Sequence, residues 1–193
     1  MNAARARQAE ALRALERLDP DHVLTLMARN RTYWQRGDFE GLLRLSHAIT
    51  ERMPSHPFGY TQRAWAHINL GQFEECPAPL RKAIQLGPRD SEVPLTRMTL
   101  SLCYWLLGRF GEAVEAARLA EQTNAGLRAL PLLLVAVLAS DGRVDEARRI
   151  VGEHKGEPDF RVDGRASLLL GKHPRVVEGR ERFAATLREM GVP

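Results

Sequence analysis

The sequence predicts an all-α protein built as a solenoid of stacked helix-turn-helix repeats, with no sheet. Three observations carry this. Leu, Ala, Arg and Glu dominate the 193 residues and β-branched residues are few, a composition that favours helix over strand. Gly37, Gly71, Gly108 and Gly142 recur at intervals of 34, 37 and 34 residues, in the phrases RGDF, LGQF, LGRF and DGRV. Pro20, Pro54 and Pro88 recur at 34 and 34.

Each turn glycine stands between two segments of helical periodicity. The glycine supplies the left-handed conformation that ends a helix within one residue. Two residues later comes Phe39, Phe73, Phe110 or Val144, expected to wedge between the paired helices. Five residues after the glycine, Leu42, Cys76, Ala113 and Ala147 mark where the helices touch, and twelve after it stand Ile49, Ala83, Ala120 and His154. Pro77 and Pro79 fall early in the second helix of the second unit. Proline is tolerated only at the start of a helix, so that helix is expected to begin late, near Pro79.

Glycine, aromatic, small-residue and proline positions in one 34-residue register resemble the tetratricopeptide repeat (TPR) family. The resemblance implies a right-handed α-solenoid of ten or eleven helices. It places full repeats at about 23–56, 57–90, 94–127 and 128–161, with Ser91-Glu92-Val93 inserted between the second and third. The fourth repeat departs most, since Val144 replaces the aromatic and Asp159 stands where proline is usual. Residues 1–20, with Leu12, Leu15 and Leu18, read as a half-repeat or N-terminal capping helix. Residues 162–193 read as a C-terminal capping region, in which Pro174 opens a helix with Val176, Phe183, Leu187 and Met190 on one side and Gly191 ends it. The tail RFAATLREMGVP is also similar to the end of TPR regions in bacterial adenylate cyclase and winged-helix regulator proteins.

Composition narrows the chemistry. The net charge is +4 and the pI about 9.5, yet Lys and Arg alternate with Glu and Asp along nearly every segment. A solvated mixed-charge helix face explains that pattern, and no nucleic-acid partner is expected. The longest apolar run, Leu130 to Ala139, is about half of what a membrane-spanning helix needs, so no membrane insertion is expected. Cys76 and Cys103, without CxxC spacing or further partners, read as reduced, buried residues of a cytoplasmic protein. The Arg-, Ala- and Gly-rich composition suits a bacterial source. The six histidines form no HxxxH or HExxH phrase, and neither a GxSxG elbow nor a phosphate-cradling glycine loop occurs. The expectation is a non-enzyme with no cofactor and no metal.

In stacked TPR units the first helix of each repeat lines a concave groove. The resemblance carries that face onto Met27, Arg31, Trp34 and Gln35, then Phe58, Trp65, Ile68 and Asn69, then Met98, Leu102 and Trp105. All three tryptophans fall on it. The family's best-known groove holds a C-terminal carboxylate with lysine and asparagine, whereas Met27, Arg31 and Gln62 occupy comparable places here, so that clamp is not met. An apolar, Trp-lined groove suits a protein or peptide ligand, either an amphipathic helix or an apolar segment. The competing occupants are the chain's own terminal helix and a second copy in a homo-oligomer. The expected function is a non-catalytic protein–protein interaction scaffold. The alternative is a regulatory or oligomerisation module of a larger bacterial signalling enzyme or transcription regulator.

Overall fold

The structure, a computed structural model, describes residues 3–124, 126–162 and 169–193. Among these residues every regular element is helical. The order is α1 (Ala3–Leu18), α2 (Val23–Arg36), α3 (Phe39–Arg52), α4 (Pro57–Asn69), α5 (Pro77–Leu86), α6 (Val93–Leu106), α7 (Phe110–Thr123), α8 (Leu130–Ser140), α9 (Val144–His154) and α10 (Pro174–Glu189). Consecutive helices pack on one another from α1 to α9. The first helices of successive pairs also touch, α4 with α6 and α6 with α8, which makes the array an α-solenoid.

The turn glycines do what their spacing demands. Gly37, Gly71, Gly108 and Gly142 have φ between 67° and 81°. At each, the glycine N–H bonds the carbonyl three residues back. The next residue's N–H bonds the carbonyl five back, as in Asp38 to Tyr33 and Arg109 to Tyr104. This closes four equivalent helix ends through the same paired bonds. Leu42, Cys76, Ala113 and Ala147 are fully buried where the helices meet. At the outer positions Ile49, Ala83 and Ala120 are buried, whereas His154 is only half-buried and stacks on Phe160.

The α6–α7 contact shows how tight this packing is. The Ser101 hydroxyl donates to the Ala113 carbonyl at 2.7 Å, which leaves no room for a longer side chain. Ala113→Leu is therefore expected to overpack the contact and cost roughly 1–3 kcal/mol, read as a lowered urea midpoint. An unchanged midpoint would show that the helices can part without loss.

Two sequence expectations need correction here. The second helix of the second unit does begin late, but at Pro77 rather than Pro79, after a 3-10 turn at Phe73–Glu75. Pro77 takes the first helical position, where its missing N–H has no partner to lose. Cys76 and Cys103 are buried as expected but are not reduced. They form a disulfide, with Cα atoms 6.2 Å apart. Cys76 lies five residues after one turn glycine and Cys103 five before the next, so two separate stretches of chain meet at one helix contact.

Half of the histidine question is answered by the helix starts. His22, His56 and His173 each accept, through Nδ1, a backbone N–H of the helix that follows. They cap α2, α4 and α10, and satisfy donors that a helix start leaves without partners. Asp38 does the same for α3 through the Gly41 N–H at 2.8 Å.

Candidate functional site

The inner helices α2, α4, α6 and α8 present the face expected to bind. The structure divides that face in two, because the C-terminal segment folds back over its far half. α10 packs on α8 and reaches the C-terminal ends of α4 and α6. Of the competing occupants named for the groove, the chain's own terminal helix takes this half.

The strap is anchored at three points. Asn69, which is 2% exposed, accepts the N–H groups of Leu170 and Gly171 on its Oδ1 at 2.7 and 2.8 Å, and donates from Nδ2 to the Trp65 carbonyl at 3.1 Å. Arg175 donates to the Gly71 carbonyl at 2.7 Å and forms a paired contact with Glu74, while its guanidinium lies over the Phe73 ring. The hydrogen bonds from Arg175 hold the Glu74 carboxyl well below the carboxylate range, at about 2. Arg182 lies 4.2 Å over the Trp105 ring and donates to the Trp105 carbonyl at 3.1 Å. There its cation faces the C-terminal end of α6, where positive charge is favoured. Burial lowers the pKa of that guanidinium, with Glu178 opposing.

Trp105 is fully buried beneath this segment. Phe183 meets its ring edge-on at 5.4 Å, and its Nε1 donates to the Ser140 hydroxyl at 2.8 Å. Leu102, Met98, Ile68 and Asn69 are likewise buried, each at 2% exposure or less. These five do not line an open groove. Residue offset alone cannot reveal that the chain itself buries these side chains.

The near half stays open. Met27, Phe58 and Trp65 come together around a cleft of about 440 Å³, shared with His56, Thr61, Gln62, Asp90, Glu92 and Leu95. Met27 is 41% exposed, whereas Trp65 is buried apart from a small edge. Trp34 packs edge-on against Trp65 at 5.6 Å and donates from Nε1 to the Gln62 Oε1 at 3.1 Å. That bond fixes Gln62, a cleft wall residue, from behind. Arg31 and Gln35 are exposed on the same helix as Met27 but do not line the cleft. The tryptophan stripe is thus graded from half-exposed Trp34 to buried Trp105.

Sequence reasoning missed the acidic rim. Asp90 and Glu92 line the cleft from the loop before α6, in and beside the inserted Ser91-Glu92-Val93. The 37-residue interval between Gly71 and Gly108 was the signal that this loop is special. Among the described residues no group of three or more His, Cys, Asp or Glu side chains is placed to hold a metal ion, and no helix is long and apolar enough to cross a membrane.

No family model matches the chain. One curated relative, the heat shock protein sti1 homolog of Schizosaccharomyces pombe, is 31% identical over 71 residues, 37% of this chain. The matched region is only 12% of the length of that relative. Among solved structures, TTC0263, a thermophilic TPR protein of Thermus thermophilus, superposes with a TM-score of 0.67 at 22% identity, over 96% of this chain and 93% of that one. YrrB, described as a TPR protein with an unusual peptide-binding site, superposes with a TM-score of 0.64 at 15% identity, over 94% and 91%.

Proposed function

We propose that this chain, which has the tetratricopeptide-repeat fold, is a non-catalytic protein-interaction scaffold. It takes a peptide or helix of another protein in the cleft between α2, α4 and α6. One observation carries the reading. The near half of the inner face keeps Met27, Phe58 and Trp65 around an open cavity, while the same chain seals the far half. The peptide-binding site named for the structurally similar YrrB is consistent with this use of the fold. A cytoplasmic setting suits the reading.

An apolar floor with a polar wall binds by removing nonpolar area from water, with Met adapting to the shape of its guest. Arg31 and Gln35 stand outside the cleft on the same helix as Met27, and Trp34 acts on it through Gln62, so these three orient a ligand more than they hold it. Met27→Asp is the discriminating variant. Met27 is 41% exposed, so its replacement leaves the fold intact while placing a charge on the cleft wall. In a pull-down from the source organism, proteins retained by the parent chain should be lost with Met27→Asp, while the circular dichroism of the two proteins stays the same. Retention of the same proteins by both would remove the cleft from consideration.

The alternative, an oligomerisation or regulatory module, is favoured by a separate feature. Leu18 and Leu24, at 83% and 56% exposure, form an apolar edge around α1 and α2. Sedimentation of the Leu18→Lys variant against the parent tests it: a concentration-dependent mass lost in the variant favours that module.

A further inference from the structure

We propose that the open cleft selects a segment carrying lysine or arginine beside a large aliphatic side chain. This rests on the reading of the cleft as a binding site and adds its ligand class. Among the described residues, the only formally charged side chains lining the cavity are two carboxylates, Asp90 and Glu92. Both residues are exposed at the rim, and neither carboxylate is engaged in an ion pair with the described residues. They stand above an apolar wall of Met27, Phe58 and Leu95.

The rim is held in place before any ligand arrives. The Asp90 N–H donates to the Gly87 carbonyl at 3.0 Å, and the Val93 N–H to the Asp90 carbonyl at 3.1 Å. The Glu92 N–H donates to the Asp90 Oδ1 at 2.9 Å, which fixes that carboxylate on the turn. The loop is therefore a fixed turn that ends in α6, and the three extra residues of this inter-repeat connection carry Glu92 to the rim.

Electrostatics makes the choice of ligand local. The chain as a whole carries +4, so its overall field attracts anions. A preference for a cationic ligand has to come from the two rim carboxylates. An aliphatic side chain of the guest fills the apolar floor, and its neighbouring ammonium or guanidinium reaches the rim without being buried, which avoids the cost of desolvating a charge. An acidic guest meets two like charges at the same distance.

The test uses the full chain and two dye-labelled peptides of about nine residues, acetylated and amidated. One places leucines on one face with lysines beside them, and its twin replaces the lysines with glutamate. Binding is read by fluorescence anisotropy at about 50 mM salt, where screening is weak. The lysine peptide should bind roughly tenfold more tightly, with the difference shrinking as salt rises. Asp90→Asn with Glu92→Gln keeps the turn hydrogen bonds and should reduce the preference to less than about threefold. Glu92→Lys should reverse it. If both peptides bind alike, the cation selectivity is overturned while the cleft remains a binding site. If neither binds, both readings fall. A preference that survives in the Asn/Gln variant places the selectivity elsewhere and overturns the inference. A stable dimer in sedimentation that the lysine peptide leaves intact, with no peptide bound, assigns the cleft to a second copy and overturns it as well.

Discussion

Replacing Trp105 with alanine is expected to lower the unfolding free energy by about 3–5 kcal/mol. The residue is 0% exposed and ties α6 to two further helices at once. Its indole N–H donates to Ser140 on α8, its ring takes the edge of Phe183, and its face carries the Arg182 guanidinium from α10. Truncation removes the largest of the fully buried side chains and leaves a cavity. It also leaves a desolvated guanidinium without its ring. The measurement is the urea midpoint at constant slope, with α10 probed in parallel by limited proteolysis after Arg175 and Arg180. Trp34→Ala provides the contrast, since Trp34 is only half-buried and its loss should cost far less. Equal losses for both would mean that the C-terminal segment does not close over Trp105 in solution.

Gly171→Val should release the strap. A side chain at this position would collide with the Asn69 carbonyl oxygen, and that oxygen belongs to a helix backbone that cannot swing aside. The variant therefore loses the two N–H bonds from Leu170 and Gly171 to Asn69, and leaves a buried amide oxygen short of donors. A net cost of about 2–3 kcal/mol is expected, from two bonds and one unsatisfied acceptor. Faster amide hydrogen exchange in Leu170–Gly171 and at the end of α4 is the direct readout. Acrylamide quenching of tryptophan fluorescence should rise as Trp105 becomes accessible. Unaltered exchange in that segment would show that Asn69 is not its anchor.

The contrast between Trp65 and Trp105 shows where a sequence reading stops. Both occupy first-helix positions, six and three residues before a turn glycine, and both read as parts of one groove. Their surroundings differ because residues 169–190 cross the face at one and not at the other. The crossing depends on pairs about a hundred positions apart, such as Gly171 with Asn69 and Arg175 with Glu74. A glycine in the middle of an amphipathic helix hinted at it. Gly179 is buried, and a Cβ there would press on the Leu106 side chain at 2.7 Å, so α10 approaches α6 closely through that gap.

The repeat, its glycine turns, the touching positions at Leu42, Ala113 and Ala147, and the all-helical solenoid were legible from the sequence alone. Each is set by contacts between residues fewer than about forty positions apart, and such contacts imprint a fixed spacing. The pairing of Cys76 with Cys103, the burial of Trp105 and Asn69, and the division of the inner face into a sealed half and an acid-rimmed open half were decided by tertiary structure. Cys76 and Cys103 occupy different offsets in successive repeats, so no single register position records their meeting. The sealing strap lies outside the repeat, and its partners are fixed by where the chain returns in space. A periodic pattern records the neighbour that every repeat has. It carries no mark of a contact that occurs once.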